Sequence, residues 1–371
     1  MDRANATPII VLTGFLGSGK STLLKSLLSE ARFANAGVVI NEYGDVAIDH
    51  DLLTEGRPQV MATSTGCLCC TAAADIRASL AEIHHAAQQA KKLPLDCVVV
   101  ETTGLADPAP VVNQLVAGAL PAFGLRDHTV ARHYQLCGVV TTFDTVEGPG
   151  TLTRHPEAAK QLAFADRILL TKSDLLPAAE REAQLAAVHK TIRRINRDAS
   201  IEDVNAPGFD LSGAFAARAY APADLAGDVD AWLGHDHHHG HGHDHHHDHD
   251  HAGAHDHDHD HHHHTHGDSG IETLSIVRDE RVEKEALAHV LDLASMLYGD
   301  RLLRLKGLVA FADEPENPYV LQVVQHVVHP LARLDAWPSA DHRTRIVAIT
   351  RSMEPNALEQ LLGQAWTPQP A

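Results

Sequence analysis

Three cysteines fall within four residues: Cys67, Cys69 and Cys70, in the run Gly66-Cys67-Leu68-Cys69-Cys70. Thiolates at that density suit a soft or borderline metal ion. Three of them fit tetrahedral Zn²⁺ with one position left open, a geometry for passing a metal on rather than locking it in place. Alternation along the run, leaving a tight turn at Gly66, points the side chains in different directions, which is not how core cysteines behave. Cys67 and Cys70 also satisfy the C-x-x-C spacing of a redox dithiol. Some fifty residues upstream, Gly14-Phe15-Leu16-Gly17-Ser18-Gly19-Lys20-Ser21 fits G-x-x-x-x-G-K-[ST]. Its glycines let backbone N–H groups close around phosphate oxygens, and a following helix would add the positive end of its dipole. Lys20 is placed to reach the β and γ phosphates, and the Ser21 hydroxyl to take Mg²⁺. Together the two motifs imply metal handling coupled to nucleotide hydrolysis.

Three further stretches belong to the same chemistry. Glu101-Thr102-Thr103-Gly104 follows an apolar run. An acidic group at a strand end opposite the Ser21 loop is where a phosphoryl-transfer site holds Mg²⁺ or its water. Gly104 leaves room for backbone to approach the γ-phosphate. Thr171-Lys172-Ser173-Asp174 follows another apolar run. A carboxylate there can accept from N1–H and N2–H₂ of guanine, so Asp174 would choose GTP over ATP, with the Lys172 stem packed on the base. The competing reading is a strand-to-helix turn with Asp174 as helix cap. Asn41-Glu42-Tyr43-Gly44-Asp45 stands where a γ-phosphate-sensing segment would lie, and Glu42 could lend an oxygen to a metal.

These motifs need elements to position them. Pro8–Leu12, Val38–Ile40, Asp96–Val100, Cys137–Val140 and Arg167–Leu170 read as buried parallel strands. Helical spacing of leucines over Thr22–Ala31, and a helical stretch over about Ala72–Lys92, alternate with them. The pattern predicts a doubly wound, mostly parallel α/β sheet, with ligands at the carboxyl ends of the strands. Cys97 and Cys137, inside apolar runs, read as small buried hydrophobes.

The 371 residues suffice for two domains, and a net charge of -19 argues against non-specific nucleic-acid binding. Five cysteines, three of them in one motif, are not a disulfide framework and fit reducing cytosol. No apolar run approaches membrane-spanning length, and no secretory signal pattern opens the chain. A soluble cytoplasmic protein is predicted. Nineteen of the thirty histidines lie between His235 and His266, where composition collapses to His, Asp, Gly and Ala. Such a tract cannot form a core and reads as a disordered linker. Its imidazoles would bind Zn²⁺, Co²⁺, Ni²⁺ or Cu²⁺ weakly and release them on acidification. The predicted division is a nucleotide domain over 1–233, the linker over 234–269 and a small α+β domain over 270–371. In the last, strands are predicted at Leu274–Val277, Leu305–Phe311, Tyr319–Val324 and Arg345–Thr350, a helix at Glu283–Leu297, and an exposed sheet face for a partner.

GFLGSGKS, NEYGDVAID, GCLCC, ETTGLADPAP and TKSD, in that order, resemble the CobW-type P-loop GTPases, relatives of the nickel-insertion GTPases for urease and hydrogenase. The last segment resembles the CobW C-terminal domain at Leu303–Gly307, Val320–Val324 and Trp337–Val347. TKSD departs from the family-like N-K-x-D at Thr171, which puts the supporting hydrogen bonds of the usual Asn in question. The resemblance implies a GTP-dependent metallochaperone whose C-x-C-C thiols carry Zn²⁺ or another divalent ion to a client metalloprotein. It implies that Gly14, Gly17, Ser18, Gly19, Lys20, Ser21 and Thr22 hold phosphates and Mg²⁺. It likewise implies that Glu101 supports Mg²⁺, Lys172 with Asp174 reads guanine, and Cys67, Cys69 and Cys70 ligate the cargo. Cobalt delivery, for cobalamin synthesis or a cobalt enzyme, is the alternative within the family. A metal buffer dominated by the histidines is the alternative outside it. No motif names the client, and none sets an oligomeric state.

Overall fold

The apolar runs become strands where they can be covered on both faces, and the computed structural model shows how. It describes residues 6–40, 60–62, 76–116, 118–216, 270–354 and 356–367. In chain order these form β1 (Thr7–Gly14), α1 (Lys20–Ser29), β2 (Gly37–Ile40), β3 (Val60–Ala62), α2 (Ile76–Gln89) and β4 (Val98–Glu101). Next come α3 (Ala109–Leu115), α4 (Gly124–His133), β5 (Tyr134–Asp144), α5 (Gly148–Arg154), α6 (Pro156–Phe164) and β6 (Arg167–Thr171). The first unit closes with α7 (Arg181–Ile195), β7 (Ser200–Asp203) and α8 (Leu211–Ala214). The second comprises β8 (Ile271–Arg278), α9 (Lys284–Tyr298), β9 (Leu302–Val309), β10 (Tyr319–Val324), β11 (Val327–Val328), β12 (Ala332–Arg333), β13 (Thr344–Arg351) and α10 (Ala357–Gly363).

The first sheet has seven strands in the order β3-β2-β4-β1-β5-β6-β7, all paired in parallel. One core packs Ile9, Val11, Val98 and Val100 under α2, α3, α6 and α7; the other packs Ile10, Leu12 and Val99 under α1 and α8. Coverage on both faces is what a parallel sheet requires, and the doubly wound α/β expectation holds. Cys97 and Cys137 are buried as read, and burial pushes the Cys97 thiol up to about 12. Two strands, β3 and β7, had no counterpart in the sequence reading. Each lies at a sheet edge and pairs on one side only. The β7 stretch Ser-Ile-Glu-Asp has a single apolar residue, so no buried run announces it. Among the described residues, no helix is long and apolar enough to cross a membrane.

The second sheet is antiparallel, in the order β11-β10-β9-β13-β8, with β12 pairing β10. Leu305, Leu321, Val323 and Ile346 on one face pack with Leu287, Val290 and Leu291 of α9 and with α10. The other face corrects the expectation of a free partner surface. All eight residues of β9 are buried, because this face lies against the first unit. Arg304 donates to Phe164 O at 2.8 Å and to Asp166 Oδ1 at 2.6 Å, and Lys306 pairs with Asp198 at 3.2 Å. Burial lowers the Lys306 pKa, with Asp198 acting against it. Ile271, Leu303, Val324 and Ile349 join the core of the first unit.

His329 belongs to the same junction. It is 4% exposed, and its Nε2–H donates to Asn113 Oδ1 of α3 at 3.0 Å. Burial first, and the Arg304 charge second, push its pKa down to about 4 from an ordinary 6.5. A ring whose pKa is lower folded than unfolded costs nothing above pH 6.5. Its neutral form must then be held against protonation as pH falls toward 4, so stability is lost across that window. The loss amounts to roughly 3 kcal/mol when complete. The expected result is a steeper acid destabilisation of wild type than of His329→Gln between pH 6.5 and 4, measured by urea unfolding. Equal slopes would remove His329 as the cause.

Candidate nucleotide site

The carboxyl ends of β1, β4, β5 and β6 converge on one edge of the parallel sheet, and four loops leave from there. The loop after β1 is shaped by glycine. Gly14 has φ +142, and a Cβ there would lie 2.3 Å from Thr142 Oγ1 and 2.6 Å from Thr142 O. Gly17 and Gly19 also have positive φ, and Gly19 is the N-cap residue of α1. Ser18 is buried, and its hydroxyl meets Thr142 Oγ1 at 2.7 Å. Lys20 is 8% exposed and donates to Gly14 O at 2.7 Å and Phe15 O at 3.2 Å. Its ammonium is therefore held inside the loop. Ser21 and Thr22 lie exposed on the first turn of α1.

Glu101 ends β4 beside β1, paired with Leu12, and is 6% exposed. Its Oε1 accepts from Ser21 Oγ at 2.9 Å. The sequence placed these two residues 80 apart; the parallel register of β1 and β4 brings them together. A hydroxyl and a carboxylate converging beside a phosphate loop form the hard, oxygen-only donor set that Mg²⁺ prefers. Gly104 lies directly against the loop: a Cβ there would sit 2.7 Å from Leu16 N and 2.8 Å from Leu16 Cα. Any larger residue would force the two loops apart.

The fourth loop answers the question raised by Thr171. Its Oγ1 donates to Ser18 O at 2.9 Å and lies 3.2 Å from Phe143 O. The threonine thus ties the β6 loop to the phosphate loop. Lys172 adopts φ +59 and pairs through Nζ with Asp144 Oδ2 at 2.6 Å. Asp144 Oδ1 is in turn held by the N–H groups of Val146 and Glu147. Asp174 is exposed and sits within a 3₁₀ turn (Ser173–Leu175) that has no side-chain cap, so the helix-cap reading does not describe it. Its Oδ1 accepts from Asn205 Nδ2 at 3.2 Å, and Ser173 Oγ donates to Asp203 Oδ1 at 2.6 Å.

Sequence reasoning missed Thr142, Asp144, Asp203 and Asn205. A Thr or Asp near the end of an apolar strand was the available signal for Thr142 and Asp144; Asp203 and Asn205 had none, because they close and follow the polar strand β7. Glu42, Cys67, Cys69, Cys70, the Asn41–Asp49 segment and the histidine tract lie outside the described residues. Among the described residues, no group of three or more His, Cys, Asp or Glu could hold a metal.

Residues 8–202 match the family model described as CobW/HypB/UreG, nucleotide-binding domain. Residues 271–366 match that of the cobalamin synthesis protein cobW C-terminal domain. The zinc chaperone YjiA of Escherichia coli (strain K12) is 30% identical over 207 residues, covering 56% of this chain and 60% of its own. The zinc-regulated GTPase metalloprotein activator 1 of Schizosaccharomyces pombe is 32% identical over 196 residues, covering 51% of this chain and 43% of its own. The chain thus spans about half the length of the curated relatives it matches. The crystal structure of Zn(II)-bound YjiA GTPase from E. coli superposes with a TM-score of 0.63 at 22% identity, covering 97% of this chain and 99% of that one. That likeness establishes a shared fold.

Proposed function

The chain belongs to the CobW/HypB/UreG nucleotide-binding family, and from that premise we propose that it is a GTP-hydrolysing metallochaperone. It would bind Zn²⁺ as cargo at Cys67, Cys69 and Cys70 and pass it to a client metalloprotein in a GTP-dependent manner. The observation that carries the GTPase half is the convergence of Lys20, the Ser21–Glu101 pair, Gly104 and Asp174 on one sheet edge. The thiolate chemistry of the C-x-C-C run, and relatives named as zinc chaperones, support the cargo half. We read 1–233 and 270–371 as the two domains, joined by 234–269.

In this reading the backbone N–H groups of Gly14 to Thr22 take the phosphates. Lys20 turns its ammonium from the carbonyls of its own loop toward the β and γ oxygens. Ser21 and Glu101 would hold Mg²⁺, which supplies charge neutralisation at those oxygens. Gly104 lets the loop after β4 approach the γ-phosphate. Asp174, oriented by Asn205, accepts from guanine, and Thr171 keeps that reader in register with the phosphate loop. Hydrolysis can alter cargo affinity only to the extent that the thiols bind metal differently in the two nucleotide states, and bound Zn²⁺ must then change GTP affinity by the same factor.

The direct test is a competitive Zn²⁺ titration of the full chain and of its Cys67→Ala variant, each with GDP and with a non-hydrolysable GTP analogue. A tight site that is lost in the variant and differs between nucleotides supports a gated carrier. Tight binding indifferent to nucleotide would reduce the zinc to a structural role. Capacity carried wholly by weak sites would favour the histidine buffer. Asp174→Asn tests the base reader. It removes an acceptor of guanine N–H groups, so GTP turnover efficiency should fall roughly a hundredfold, the loss expected of charge-assisted hydrogen bonds, while xanthosine triphosphate gains. Unchanged preference would place base recognition elsewhere.

A further inference from the structure

We propose that α6 carries two positioning residues, Gln161 and Lys160, which set the γ-phosphate-side loop against the phosphate loop; the proposal rests on the GTPase reading above. Gln161 is 1% exposed, far from any surface role. Its Nε2 donates to Gly104 O and to Ala106 O, each at 3.1 Å. Its own carbonyl accepts from Thr141 Oγ1 at 3.0 Å, which fixes the helix to β5. One residue further back, Lys160 Nζ pairs with Asp107 Oδ2 at 2.7 Å. Three of the four residues from Gly104 to Asp107 are therefore held from the same helix.

The consequence follows from peptide geometry. A trans peptide points its C=O and the next N–H in opposite directions. Drawing the carbonyls of Gly104 and Ala106 inward onto Gln161 turns the N–H groups of Leu105 and Asp107 away from it. The same pull presses Gly104 onto Leu16, where a Cβ would leave only 2.7 Å to the backbone nitrogen. The clamp reaches the other way as well. Gln161 lines a cavity of about 30 Å³ beneath the phosphate loop, shared with Phe15, Leu16, Ser18 and Thr142. Its Oε1 is buried with no hydrogen-bond partner among the described residues. A buried amide that gives both its N–H bonds to one loop, and belongs to a residue lining a cavity shared with the other, couples the two.

A further hold on Asp107 comes from Gln325 Nε2, at 3.1 Å, in the C-terminal unit. Asp107 Oδ1 meanwhile accepts from Ala109 N at the start of α3, at 3.0 Å. The loop that faces the γ-phosphate is thus continuous with the helix that docks on His329. The clamped loop is therefore tied to the C-terminal unit as well as to α6.

The test compares wild type, Gln161→Leu and Lys160→Ala for single-turnover GTP hydrolysis and for affinity toward GDP and a non-hydrolysable GTP analogue. For Gln161→Leu, hydrolysis and analogue affinity should each fall roughly tenfold, the effect of one or two lost hydrogen bonds. GDP affinity should stay within about twofold, because GDP has no group at this loop. Lys160→Ala, at a half-buried side chain whose removal spares the core, should give the same split at a smaller size. It keeps the proposal testable if Gln161→Leu does not fold. Equal losses for GDP and analogue, or no change in either variant, would overturn the clamp. A wild type that neither binds the analogue nor turns over GTP would overturn the GTPase reading itself, which separates the two failures.

Discussion

Replacing Lys20 with alanine should lower GTP turnover on the order of a thousandfold, the scale on which a preorganised donor to developing charge is lost. The reason lies in where the ammonium already is. At 8% exposure it is largely out of water, and Gly14 O at 2.7 Å and Phe15 O at 3.2 Å hold it inside the loop. Each carbonyl accepts one of the three N–H donors of the ammonium. A triphosphate in the loop can draw that charge a short way, with little reorganisation. Phosphoryl transfer offers little covalent chemistry for protein groups, so charge stabilisation and positioning account for most of the rate. Arginine is a poor substitute, because a planar guanidinium fork does not reproduce the compact point charge of an ammonium. The measurement is single-turnover hydrolysis at saturating GTP. Turnover within tenfold of wild type would mean that another cation serves the transition state.

How much of this was legible beforehand differs sharply between residues. The phosphate loop could be read in full, since its glycines, lysine and serine are contiguous and local geometry dictates each of them. Glu101 could be read because an acidic residue ended an apolar run. Its place opposite the Ser21 loop could be read as well, although the hydrogen bond itself is set by the register of two strands far apart in the chain. Thr171 is the instructive departure. By type it looked like the loss of a supporting residue, yet a hydroxyl at that strand end reaches Ser18 O as required. Spacing cannot distinguish these outcomes, because the distance is set by β5, the strand between β1 and β6. Gln161 shows the opposite failure. A glutamine within Glu-Ala-Ala-Lys-Gln-Leu-Ala-Phe reads as an ordinary helix surface residue, and only the crossing of α6 over the β4 loop turns it inward. The free sheet face expected in the last domain failed for a related reason. Arg304, Lys306 and Arg345 alternate with leucines, glycine and isoleucine as they would on a solvated face. The pattern of types does not reveal that Asp166 and Asp198 wait on another unit.

That junction carries the largest stability effect expected of a single substitution. Arg304→Met should destabilise the protein by about 3–5 kcal/mol, the cost of breaking a buried ion pair from one side. Arg304 and Asp166 are 3% and 8% exposed at 2.6 Å. Methionine replaces the stem of the arginine but strands the carboxylate and leaves Phe164 O without the donor it has at 2.8 Å. Removing the aspartate as well relieves the stranded charge, so a double replacement, Arg304→Met with Asp166→Leu, would normally recover much of the loss. Here recovery should be incomplete. Asp166 Oδ2 also accepts from Val139 N at 2.8 Å, and leucine leaves that buried N–H unmet at a cost of about 1–3 kcal/mol. Asp166 is thus shared: one oxygen holds the first sheet, the other holds the second domain. Destabilising it should lower both units together, so urea unfolding followed by two probes should remain one transition. If Arg304→Met instead splits unfolding into two steps while leaving the first unit at wild-type stability, the junction only joins two independently stable domains. The continuity from Gly104 through Asp107 to Gln325 would then remain as a route by which nucleotide could reach the second sheet.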